Sequence, residues 1–172
     1  ECAGGAAMTT NKLIGIVVLA CLGVFIAREC QAAICETITP HSTISAEMAS
    51  DVCEEVRHYA GVHGVDESLA LAVTQYESHF RPWAISSSGA GGPMQIKPKY
   101  HCPVFLGIRV CKSRAEFTEA GVRHLAELLE RRGSRQALRC YHDGVSGCRT
   151  KGPGVMYADA VMRIQQRLRR RL

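Results

Sequence analysis

The cysteine content restricts this chain more than any other feature. Nine cysteines occur in 172 residues, a density expected of disulfide-bonded proteins in oxidising compartments. No C-x-x-C pair is present, and the spacings of Cys102 to Cys111 and Cys140 to Cys148 match no common zinc motif. Cys140-x-His142 alone is too short to define a metal site. Six cysteines (Cys35, Cys53, Cys102, Cys111, Cys140 and Cys148) lie beyond residue 33. Many connectivities are open to six. The neighbour pairing 35–53, 102–111 and 140–148 closes short loops and is the expected one, with buried free thiols as the alternative.

The N-terminus points to the same compartment. Met8 to Lys12 reads as a short basic leader start, and Leu13 to Ala27 is an uninterrupted apolar run of fifteen residues. As a helix this run spans about 22 Å, short of a bilayer core of about 30 Å. Small residues before a cut after Ala32 complete the pattern of a cleaved export signal. The expected division is a leader over 1–33, with Met8 as the start, and a single domain over 34–172. An uncleaved anchor is the alternative, and membrane contact is expected of the leader alone.

Beyond the leader, apolar residues recur at spacings of three and four, which predicts a mainly helical domain. Ser45 is a candidate cap for a helix carrying Met48, Val52, Val56 and Tyr59. Asp66 caps a second with Leu69, Val73, Tyr76 and Phe80 on one stripe, and Pro82 is its expected stop. Ser113-x-x-Glu116 is a capping box ahead of a third, for which Gly133 is the expected left-handed terminator. Ser134 opens a short helix, and a last one carries Tyr157, Val161, Ile164 and Leu168. Between the second and third lies a long Ser/Gly/Pro-rich loop, 81–112, a length usually kept for function.

Charge is divided unevenly. Residues 34–76 hold one Lys/Arg against seven Asp/Glu, whereas residues 77–172 hold eighteen against seven. The basic part suits an anionic polymer. Aromatics make up 6% with a single tryptophan, which argues against broad base-stacking surfaces. The expected export argues further against a nucleic-acid partner.

Glu77 falls at the edge of the second apolar stripe, about 80° from Leu69 on a helical wheel. A carboxyl group there is partly desolvated, which raises its pKa above the ordinary value of about 4.3 and suits it to general acid work. The surrounding residues form three separated motifs. Glu77-Ser78-x-Phe80 comes first, then Ser88-Gly89-Ala90-Gly91-Gly92-Pro93-Met94-Gln95-Ile96, and later Cys140-Tyr141-His142-Asp143-Gly144. Their order and separation over residues 45–165 resemble the lytic transglycosylases of the lysozyme-like superfamily, whose patterns are E-S-x-F, G-A-x-G-L-M-Q and A-Y-N-A-G.

That resemblance implies a lysozyme-like α-helical domain with a small loop/β element lining a cleft. It also implies cleavage of the MurNAc-β-1,4-GlcNAc bond of peptidoglycan without water, leaving 1,6-anhydro ends. Glu77 matches the single acid/base and Tyr141 the tyrosine that bonds and orients it. Ser78, Gly89, Ala90, Gly92, Met94, Gln95 and His142 match substrate-binding positions. No cofactor or metal is implied. The expected partners are glycan strands and an envelope-spanning machine, with the protein acting as a periplasmic monomer in secretion, conjugation, pilus assembly or phage lysis. Departures are Pro93 in place of leucine, and His142-Asp143 in place of Asn-Ala. Asp143 adds a second acid, so a hydrolytic, goose-type-lysozyme outcome is the main alternative. A silent wall-binding module is the other.

Overall fold

The computed structural model describes Cys35 and residues 44–148 and 151–172. The expected leader, its cleavage point and the boundary at residue 33 lie outside the described residues.

Helix α1 (Ala46–His63) starts where the Ser45 hydroxyl accepts a bond from the Met48 N–H and stops at Gly64, whose φ of 66° is left-handed. Its buried stripe is Ala49, Val52, Cys53, Val56 and Ala60, so Met48 is exposed rather than part of the core. Helix α2 (Glu67–Ser78) is capped by Asp66, which accepts from the Leu69 N–H at 3.0 Å. Every position from Ser68 to Thr74 is buried, which makes α2 the central helix. It ends at Ser78, four residues before the expected Pro82. His79 and Phe80 turn left-handed (φ 53° and 62°), and this reversal tucks the Phe80 ring into the core.

The long loop is more structured than its composition predicts. A single turn, α3 (Pro98–His101), leads into a hairpin of β1 (Val104–Phe105) and β2 (Ile108–Arg109), paired antiparallel with Phe105 opposite Ile108. Helix α4 (Arg114–Arg131) has the expected box shifted by one: Ser113 accepts from Glu116 N–H, but the Glu116 carboxylate accepts from Lys112 N–H. Gly133 is not a left-handed stop. With φ −65° it caps the start of α5 (Ser134–Asp143), while α4 ends on an extended Arg132. Helix α6 (Pro153–Leu168) buries Tyr157, Val161 and Leu168 as expected, together with Gly154, Ala158 and Gln165, while Ile164 is only partly buried at the edge of the core.

The five long helices pack in a cycle: α1 on α2, α2 on α6, α6 on α5, α5 on α4 and α4 back on α1. One core of aliphatic side chains fills the cycle, with Phe80, Met94 and Tyr157 at its cleft end. The disulfides are Cys35–Cys53, Cys102–Cys111 and Cys140–Cys148, the neighbour pairing expected from loop length. Arg114 ties α4 to α1 through Glu55 at 2.7 Å, and Arg169 ties the end of α6 to Asp66 at 2.9 Å. Among the described residues, no helix is long and apolar enough to cross a membrane.

Candidate active site

The last turn of α2 carries Glu77 to a cleft of about 620 Å³. The Gly-rich loop contributes Ser86, Ser88, Ala90 and Gln95, and α5 and its exit contribute Tyr141, His142, Asp143 and Val145. Tyr100, His101 and His124 line it as well. The mainly helical fold with its small hairpin thus matches the expected architecture.

Burial pushes the Glu77 carboxyl above the usual carboxylate range. Two weaker influences oppose it: the nearby Tyr157 hydroxyl and the charge of His142. The Tyr157 hydroxyl is buried and has no hydrogen-bond partner. Burial and the adjacent Glu77 push the phenols of both Tyr157 and Tyr141 well above 10, so each stays an O–H donor.

Tyr141 does not donate to Glu77. Its hydroxyl bonds the Met94 carbonyl at 2.8 Å and fastens α5 to the Gly-rich loop. Its ring stacks parallel to Tyr157, 6.5 Å between centroids, and meets His124 at 5.3 Å. Tyr157 is the site residue that the motifs do not reveal. It sits on the apolar stripe of α6, and only the hydroxyl on an otherwise hydrocarbon face signals another role.

The other motif residues divide. Ala90, Gln95 and His142 line the cleft with Glu77 and Tyr141. The Gln95 amide nitrogen donates to the carbonyls of Ala84 and Gly92, which leaves its amide oxygen for a ligand N–H. Three expectations need correction. Met94 is fully buried and packs in the core, because its loop turns the side chain inward. Ser78 is also fully buried, its hydroxyl bonded back to the Thr74 carbonyl at 3.3 Å. Gly92 (φ 75°) is required by packing, since a Cβ there would lie 2.6 Å from the Phe117 Cβ. Gly89 (φ 77°) serves an exposed turn beside the cleft.

Asp143 is a cleft residue but an engaged one. One oxygen pairs with His142 Nδ1 at 2.7 Å, and the carboxylate fills the space over Gly154, where any Cβ would collide with it. The rings of His101 and His124 meet at 4.0 Å between centroids, tilted by 41°. Burial, then the neighbouring imidazole, brings His124 down to about 4, and burial lowers His101 too. Both are neutral hydrogen-bonding groups at neutral pH.

Comparison with known proteins identifies the family of the domain. Residues 55–154, more than half of the chain, match the model of the transglycosylase SLT domain. A stretch of 43 residues is 51% identical to "Membrane-bound lytic murein transglycosylase C" of Histophilus somni (strain 2336), covering 25% of this chain and 12% of that protein. A stretch of 41 residues is 54% identical to the protein of the same name from Yersinia enterocolitica serotype O:8, over 24% and 12%. The chain thus matches only about an eighth of the length of these relatives.

Proposed function

Because the chain belongs to the transglycosylase SLT domain family, we propose that it cleaves the β-1,4 bond between N-acetylmuramic acid and N-acetylglucosamine by intramolecular transglycosylation. The observation that carries this reading is a partly buried Glu77 with a raised pKa, facing a cleft beside an unpartnered tyrosine hydroxyl.

Protonated Glu77 gives its proton to the glycosidic oxygen as the bond to C1 breaks. The substrate's own N-acetyl oxygen supports the positive charge at C1. The Glu77 carboxylate, stabilised by the Tyr157 O–H, then removes the proton of the muramyl 6-hydroxyl, and that oxygen bonds C1. Glu77 ends protonated, ready for another cycle, and no water is consumed. One carboxylate suffices, whereas hydrolytic glycosidases use a second. Tyr141 positions the Gly-rich loop, and Ala90, Gln95 and His142 contact the sugars. The engagement of Asp143 by His142 and its packing on Gly154 favour this reading over hydrolysis.

Disulfides, the expected export signal and the basic C-terminal part support action in the cell envelope on anionic wall. The same features suit an accessory enzyme opening the wall for a secretion, conjugation or pilus machine or a phage.

Mass spectrometry of digested muropeptides tests the reaction. Anhydro ends, lighter by one water than hydrolysed ones, are expected from the parent. Glu77→Gln should lose at least about a hundredfold in rate. Hydrolysed ends assign the site to a muramidase. Full activity in Glu77→Gln, or none in the parent, removes the enzyme reading.

A further inference from the structure

The hairpin 104–109 is built unlike the rest of the molecule. Its base is held firmly: the Cys102–Cys111 disulfide is buried against Ile96 and Ala120, and Arg109 donates to the Cys102 carbonyl at 3.0 Å. Its tip is apolar and open to solvent, with Leu106 at 87% and Ile108 at 69% exposure and Val104 and Phe105 also exposed. Both strands are exposed at every position, so side chains on both faces meet solvent.

Leu106 is costly twice over. It holds a left-handed backbone (φ 49°) at a two-residue turn that favours Asn or Asp before glycine. It also leaves a large aliphatic side chain in water. Neither turn geometry nor internal packing explains it. Around the hairpin stand Lys97, Lys99, Arg109 and Lys112, all exposed, with the Lys112 ammonium over the Phe105 ring at 2.8 Å. No carboxylate lies between Glu77 and Glu116 in the sequence.

We propose that this hairpin is a lipid-surface anchor: its apolar tip enters the interface of an anionic bilayer while the flanking cations rest on the headgroups. Exposure on both faces favours lipid, which surrounds an inserted tip, over a protein partner, which covers one face of a strand pair. The four exposed cations, which outnumber the nearby Glu116 and Glu127, complement anionic headgroups. His101 and Tyr100, just before the hairpin, line the cleft that holds Glu77. Anchoring would therefore hold that cleft close to the membrane and direct it to the glycan nearest the bilayer. The inference stands whatever reaction the cleft performs.

Co-sedimentation of the full chain with phosphatidylglycerol-containing vesicles tests this, with phosphatidylcholine vesicles as the uncharged control. The triple variant Phe105→Ser, Leu106→Asn, Ile108→Thr retains the disulfide and gives the turn a residue suited to left-handed backbone. It should lose about tenfold or more in partitioning to anionic vesicles, with unchanged thermal midpoint and unchanged lysis of soluble glycan. Both chains carry residues 1–33, so their difference isolates the hairpin. In a Trp83→Phe, Leu106→Trp chain, emission should shift to the blue on anionic vesicles and recover in high salt. Unchanged emission, or equal partitioning of parent and triple variant, overturns the proposal. So does a concentration-dependent dimer that the triple variant abolishes without any effect on vesicle binding.

Discussion

A carboxyl group that must release a proton and then reclaim it needs surroundings that favour neither state strongly. At Glu77 burial favours the acid, while the Tyr157 hydroxyl and the charge of His142 favour the carboxylate. Tyr157→Phe removes the donor that would stabilise the Glu77 carboxylate during the reaction, which should lower kcat roughly ten- to hundredfold, the cost of a lost bond to a charged group. It should also move the alkaline limb of the pH–rate profile upward, because Glu77 then holds its proton to higher pH. A variant that slows the reaction with the limb in place would leave Tyr157 a packing residue only. Glu77 itself was legible, since a glutamate at the edge of an apolar stripe is visible from helical period. Tyr157 was not, because period reports that a residue faces inward and not that its hydroxyl reaches a carboxyl group on another helix. Ser78 and Met94 show the converse limit. A motif match identifies a residue type but not the side of the backbone on which its side chain falls.

Helix starts are read from local chemistry, and the caps at Ser45, Asp66 and Ser113 are where their side chains place them. Helix ends are set by what the chain must reach next, which local sequence does not show. Ending α2 at Ser78 delivers Phe80 to the core, and Gly133 is used to start α5 because α4 and α5 turn directly into each other. Two glycines inside helices make this dependence measurable. Gly61 in α1 has open space where a Cβ would stand, so Gly61→Ala should stabilise by about 0.5–1 kcal/mol through the unfolded chain. At Gly121 in α4 the same methyl would stand 2.7 Å from the Met94 Cβ. Gly121→Ala should destabilise by about 1–3 kcal/mol and slow catalysis, since Met94 also holds Tyr141. Urea titrations of both variants give the signs. A stabilising Gly121→Ala would show that this contact is loose.

At the scale of the whole molecule, the cycle of helices closes around one core, and the cleft is where that core meets solvent with ionisable groups half submerged. Stability must then depend on pH, in directions fixed by each group. His124 titrates at about 4 in the folded protein against about 6.5 in the unfolded chain. Between those values the unfolded chain binds more protons, so stability falls as pH drops from about 6.5 to about 4. The full contribution is on the order of 3 kcal/mol, reduced by the partial exposure of the imidazole. Glu77 acts in the opposite sense. Its folded pKa lies above 4.5, so stability falls as pH rises through that folded value, and the cleft is penalised at neutral pH by the group that would do the chemistry. A half-buried neutral histidine was beyond the reach of sequence, because only the packing of α4 against His101 and Tyr141 desolvates it. His124→Gln removes that titration and leaves Glu77 in place. The fall in thermal midpoint from pH 7 to pH 4.5 should be about 5–10 °C smaller in His124→Gln than in the parent. Equal falls in the two chains would mean that acid instability arises elsewhere and that the imidazole remains accessible to protons in the folded state.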